Sequence, residues 1–169
     1  MKKQKSLIII CLSFIMVFCS CSIKSTEDYY KTEETKNTDV VNVKVDCITA
    51  LSSLPDALKN GNYIPEDGII IDTAVEYKDG DTPFTVLTKA AKKDKIQIDY
   101  NGEGTSVYLR GISHLYEFDC GSLSGWMVCI NGEFTNVGAN SINVKPNDTV
   151  EWRYTCDLGN DIGNSYTGE

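Results

Sequence analysis

Residues 40–47 alternate with period two: Val41, Val43, Val45 and Cys47 are apolar, whereas Asn42, Lys44 and Asp46 are polar. A helix would scatter those apolar side chains around its axis. A strand collects them on one face, so the segment is read as a half-buried strand. The same period returns near the other end, where Val150, Trp152 and Tyr154 share one face of residues 149–155. A domain whose first and last elements each carry one apolar face must cover both with something. One segment has the spacing to do so. Thr82-Pro83 places a hydroxyl at a helix N-cap and proline at the first position, and Phe84, Leu87 and Ala91 then fall on one face with Ala90 beside them. Lys92, Lys93 and Lys95 stand where the helix dipole favours positive charge.

Between these landmarks the sequence reads as short strands and turns. A short helix is expected over residues 50–60, interrupted by Pro55 and ended near Gly61. Strands are expected over 69–77, 96–100, 107–112 and 126–130. Asp79-Gly80-Asp81, residues 101–104 and Asn131-Gly132 are the turns. The expected fold class is α+β, with six or seven strands and one main helix in a single domain spanning 41–169.

The N-terminus belongs to a different regime. Lys2, Lys3 and Lys5 precede a nearly unbroken apolar run over residues 7–18. Twelve residues are too few for a hydrocarbon core of about 30 Å, which needs about 20. They suit the core of an export signal. With Ser20 before Cys21, the segment resembles a bacterial lipoprotein signal, which implies cleavage after residue 20 and acylation of Cys21. Residues 21–40 are polar and charged, with Ile23 the only aliphatic residue before Val40, and are expected to form a disordered tether. The expected location is the extracytoplasmic face of the cell membrane, held through the lipid anchor. Acidic residues outnumber basic ones by 24 to 16. Loss of the three leader lysines takes the formal charge from −8 to about −11, which excludes a basic nucleic-acid-binding surface.

Several stretches in the last 60 residues form a recognisable set. They are Gly111-Ile112, Leu115-Tyr116-Glu117-Phe118-Asp119-Cys120-Gly121, Ser124-Gly125-Trp126-Met127, Asn131-Gly132, Val137-Gly138-Ala139, Val150-Glu151-Trp152-Arg153-Tyr154-Thr155 and Asp157-Leu158-Gly159-Asn160-Asp161-Ile162-Gly163. Together they resemble a family of bacterial surface domains likened to the C-terminal domain of transcobalamin and intrinsic factor. The resemblance implies a β-grasp-like mixed sheet curled over a helix. It also implies a relation to cobalamin binding at the positions matching the carriers' ligand edge: Trp126, Asn136, Val137, Gly138, Ala139 and Ile142. These suit such an edge: an indole to stack, a loop that allows close backbone approach, and a side-chain amide. The carriers close their ligand against a large helical-barrel domain, so the resemblance implies that a partner supplies the opposing surface.

Other residue sets carry less. Cys47, Cys120, Cys129 and Cys156 form an even number in an exported domain. Cys47 and Cys156 end strands that a β-grasp sheet sets side by side in parallel, so a Cys47–Cys156 disulfide is the favoured pairing, with Cys120 an alternative partner for either and Cys129, opposite Trp126, expected to be free. Asp157, Asn160 and Asp161 lack the spacing of a calcium loop, and the single His114 has no second histidine, so no metal site is expected. No nucleophile elbow, phosphate loop or metal-binding triplet occurs, and no enzyme activity is expected. Two functions remain: an extracytoplasmic binding lipoprotein that delivers cobalamin or another small ligand to a membrane transporter, or a surface module that recruits another protein.

Overall fold

The computed structural model describes residues 39–164. The expected signal segment 1–20, the acylated Cys21 and all of the tether except Asp39 and Val40 lie outside the described residues. Eight strands follow: β1 (Val40–Asp46), β2 (Ile69–Glu76), β3 (Ile98–Asn101), β4 (Tyr108–Ile112), β5 (Leu115–Tyr116), β6 (Gly125–Ile130), β7 (Glu133–Phe134) and β8 (Thr149–Thr155). They form a five-stranded sheet in the order β2-β1-β8-β6-β7 and a three-stranded sheet in the order β3-β4-β5. The first and last strands, β1 and β8, are parallel neighbours, with Val43 beside Val150 and Val45 beside Trp152. β2 and β6 flank them antiparallel. This is the expected mixed α+β architecture with a grasp-like central pair.

Period two does in space what it does in sequence. Val41, Val43, Val45, Val150, Trp152 and Tyr154 are all buried. The main helix, here α2 (Pro83–Asp94), sets Val86, Leu87, Ala90 and Ala91 into the same core. Each fully buried Val or Leu side chain stabilises by about 1.5–3 kcal/mol. Thr82 caps the helix as its sequence predicts. Its hydroxyl accepts from the Thr85 amide at 3.2 Å, and the Thr85 hydroxyl accepts from the Thr82 amide at 2.8 Å. Lys95 ends it in the left-handed region at φ 59°.

Three features depart from expectation. The helix expected over 50–60 is a 3₁₀ turn at Ile48–Ala50 followed by a five-residue helix, α1 (Asp56–Asn60). Pro55, at φ −55° and ψ 143°, separates them, because proline lacks an amide donor and drives the residue before it out of helical geometry. The strands number eight rather than six or seven, since β5 and β7 are two residues each, too short to display a period. They also divide between two sheets instead of one. The β4–β5 turn uses Ser113 and His114, both at positive φ (49° and 66°) without a glycine. His114, exposed as expected, is held by Gln97, which accepts its amide at 3.2 Å, and by the Tyr63 ring at 4.3 Å.

Candidate functional site

Strand β6 turns Trp126 and Met127 to opposite faces of the sheet. Trp126 faces inward beside Tyr154, its cross-strand partner, with ring centroids 5.1 Å apart and planes at 75°. Its indole N–H donates to the Leu115 carbonyl at 3.0 Å. The ring is therefore half-buried and anchored, with its remaining surface on a hollow of about 240 Å³. Met127, Phe118, Leu123 and Leu158 also line this hollow. A second hollow, of about 390 Å³, shares Met127 and Leu158 and adds Phe134, Thr135, Asn136 and Asn164. A third, of about 400 Å³, shares Phe134, Thr135 and Asn136 and adds Val137 and Ile142. The shared walls join the three into one trough around the β6–β7 hairpin.

The expected ligand residues divide along it. Asn136, Val137 and Ile142 meet in the third hollow, and Trp126 is linked to them only through the second, by way of Met127 and Leu158. Gly138 and Ala139 stand at the start of α2 instead. The Ala139 carbonyl accepts the Phe84 amide at 3.3 Å, and a Cβ on Gly138 would lie 3.2 Å from the Thr105 carbonyl oxygen. Beside them Asn140 bridges Thr82 and Gly104, accepting from the former and donating to the latter at 2.6 and 2.7 Å. Residues 138–140 thus hold the helix start.

The structure adds Met127, Phe134, Phe118 and Leu158 to the site. Period two alone indicates that Met127 lies opposite Trp126, but nothing local marks it as lining a cavity. Phe118 and Leu158 are 62% and 64% exposed, and both have left-handed backbones, at φ 70° and 49°. For bulky side chains such conformations are strained and persist only where surrounding bonds impose them. Those bonds are present. The Phe118 amide donates to Ser124 and the Leu158 amide to Leu123, both at 3.0 Å. Ser124 is itself fixed by contact with the Tyr154 hydroxyl at 3.0 Å, and that hydroxyl donates its one proton to the Tyr116 carbonyl at 2.6 Å.

Electrostatically the trough is mild. Tyr108 donates to Glu117 at 2.6 Å on its rim, and that carboxylate, with burial, pushes the phenol up to about 12. Behind it Asp46 and Arg153 approach to 3.6 Å; burial pushes Asp46 above its ordinary value against the pull of the guanidinium. Asp161 accepts from the Thr155 hydroxyl and from the Cys156 amide, so it caps its loop. Among the described residues no three His, Cys, Asp or Glu side chains converge as a metal site would require.

Residues 80–156 match a domain of unknown function (DUF4430). No curated protein matches the chain. Among solved structures, haptocorrin in complex with Cbi is similar over 80% of this chain at 19% identity and a TM-score of 0.52. The matched region spans 29% of the haptocorrin chain. A proposed metal-binding protein from Ruminococcus gnavus ATCC 29149 is similar over 69% of this chain and 96% of its own, at 13% identity and a TM-score of 0.40. The haptocorrin match, at that identity, is a likeness of fold.

Proposed function

We propose that this protein is a lipid-anchored extracytoplasmic binding protein whose trough takes a bulky, partly apolar small molecule, a corrinoid such as cobalamin being the candidate, for transfer to a membrane transporter. The observation that carries the reading is the pair of strained, exposed side chains, Phe118 and Leu158, presented beside Met127 and Trp126 over connected hollows. Apolar groups held in the open at the expense of backbone strain are what a recognition surface requires and a self-contained core does not. The fold likeness to haptocorrin, solved with Cbi, supports choosing a corrinoid as the first ligand to try. Anchoring through Cys21 rests on the N-terminal sequence pattern alone.

The test is a titration of the protein with cobalamin while Trp fluorescence is followed, in parallel with Met127→Ala. A saturable change that weakens at least tenfold in the variant supports the reading. Absence of any change at high micromolar ligand removes the corrinoid, and an unmoved Met127→Ala curve removes the trough. Incorporation of labelled palmitate, abolished by Cys21→Ala, tests the anchor independently.

The alternative, a strand edge that recruits another protein, meets an obstacle at β2. Odd-numbered β2 residues bond to β1, as Tyr77 does to Asp39 at 2.8 Å, so the Ala74 and Glu76 carbonyls face outward. Lys93 donates to the first at 3.0 Å and Lys89 to the second at 3.1 Å. Lysine heads on open carbonyls are a known way to stop strand addition.

A further inference from the structure

Beside the trough, three thiols come together that belong to strands and loops far apart in sequence. Cys156 follows directly on β8, and Cys120 lies in the loop between β5 and β6. The pairing of Gly125 with Thr155 and the bond from the Leu158 amide to the Leu123 carbonyl at 3.0 Å draw these two segments against each other. Both cysteines are half-buried against the same core, close enough for each thiol to act on the other's ionisation. Cys47, past the end of β1, is near both but fully buried, its thiol donating to the Gly68 carbonyl at 3.7 Å. Cys129 is on the outward face of β6, where its thiol donates to Glu151 at 3.4 Å.

We infer that Cys120 and Cys156 form a disulfide when the protein meets an oxidising thiol partner, and that this bond clips together the two loops that present Phe118, Leu123 and Leu158. The reaction needs an oxidant, here a disulfide of the glutathione or thiol–disulfide oxidoreductase class. Burial, with Asp161 next, raises the Cys156 thiol above its ordinary value, so the reaction runs through the minor Cys156 thiolate. That thiolate, its proton released to solvent, attacks one sulfur of the oxidant. A mixed disulfide forms and the other oxidant sulfur leaves as thiolate. Cys120 then loses its proton and attacks the Cys156 sulfur, expelling the second thiolate. Two protein thiols are oxidised, one external disulfide is reduced, and the two protons end on the two released thiols. Cys47 is the poorer nucleophile on two counts: no solvent reaches it, and burial, with Asp46 next, pushes its thiol up to about 12.

The experiment uses the full chain. It is treated with oxidised glutathione, alkylated in denaturant and mapped without reduction. The expected product joins the peptides carrying Cys120 and Cys156, with Cys47 and Cys129 alkylated, and a melting temperature raised by roughly 10 °C, as closing a loop of this length allows. Cys156→Ser removes the joined peptide and leaves Cys120 alkylated. Cys120→Ser leaves Cys156 as the mixed disulfide with glutathione, while Cys129→Ser leaves the joined peptide unchanged and controls for folding. A joined peptide containing Cys47, or full alkylation of Cys47, Cys120, Cys129 and Cys156, overturns the inference. None of these readouts involves the trough's ligand.

Discussion

The two ends of the five-stranded sheet are built on opposite plans. At the β2 end the hydrogen bonds close the strand edge, although a hollow of about 400 Å³ lies between Ala74, Glu76, Lys89 and Lys93. Lys89 and Lys93 reach from α2 to cover open carbonyls, and Asp81 anchors Lys89, the Lys78 amide and the Thr85 hydroxyl at once. Burial pushes Asp81 up, but those three partners together outweigh it and hold the carboxyl below its ordinary value. At the β6–β7 end the devices do the reverse. Backbone bonds force Phe118 and Leu158 into left-handed conformations and leave their side chains in water. The charged end spends its hydrogen bonds on shielding itself, and the apolar end spends them on exposing itself. That contrast is the reason binding is proposed at the second end.

The largest change that would break the contrast is Asp81→Ala. It strands three donors at the closed end and should destabilise the protein by about 2–3 kcal/mol, read as a lower urea midpoint with unchanged slope. Because the folded carboxyl is held below its unfolded value, its contribution is present above the unfolded pKa of about 4 and is lost as pH falls through the folded one. The variant should therefore show a flatter acid limb than the parent. Tyr154→Phe acts at the open end. Removing the hydroxyl leaves the Tyr116 carbonyl without its donor and the buried Ser124 hydroxyl without its partner, at about 1–2 kcal/mol by the same measurement. It should also weaken ligand more than Asp81→Ala does.

Phe118→Gly sharpens the comparison by reversing the sign. Relief of left-handed strain should outweigh glycine's added chain entropy, so stability should hold or rise by about 0.5–1 kcal/mol while calorimetric ligand affinity falls. A clear loss of stability would show Phe118 to be core rather than recognition surface. The smallest effect on stability is expected for Lys93→Gln, which keeps the Lys89–Asp81 pair, but uncapping the Ala74 carbonyl of β2 should promote self-association, visible by sedimentation velocity as concentration-dependent larger species.

Much of this was legible in the chain. The strands β1 and β8 and the helix α2 declare themselves because their signals are local: a period of two, a period near 3.6, and a hydroxyl followed by proline. Pro55 misled the reading only about how many helical pieces it separates. The trough was half legible. Trp126 and Asn136 stand out by residue type, whereas Met127 and Leu158 acquire their role from being shared between hollows that distant segments enclose. Gly138 and Ala139 show the converse, since a loop that suits close ligand approach suits close helix approach equally well.

The sequence by itself determined which faces are apolar, where the helix begins, and that acidic charge prevails, because each follows from neighbours a few bonds away. Tertiary structure alone decided which thiols meet and which apolar side chains stay outside the core. Those outcomes depend on pairing segments separated by up to a hundred residues, where burial and hydrogen bonding are settled together and no short stretch holds both partners.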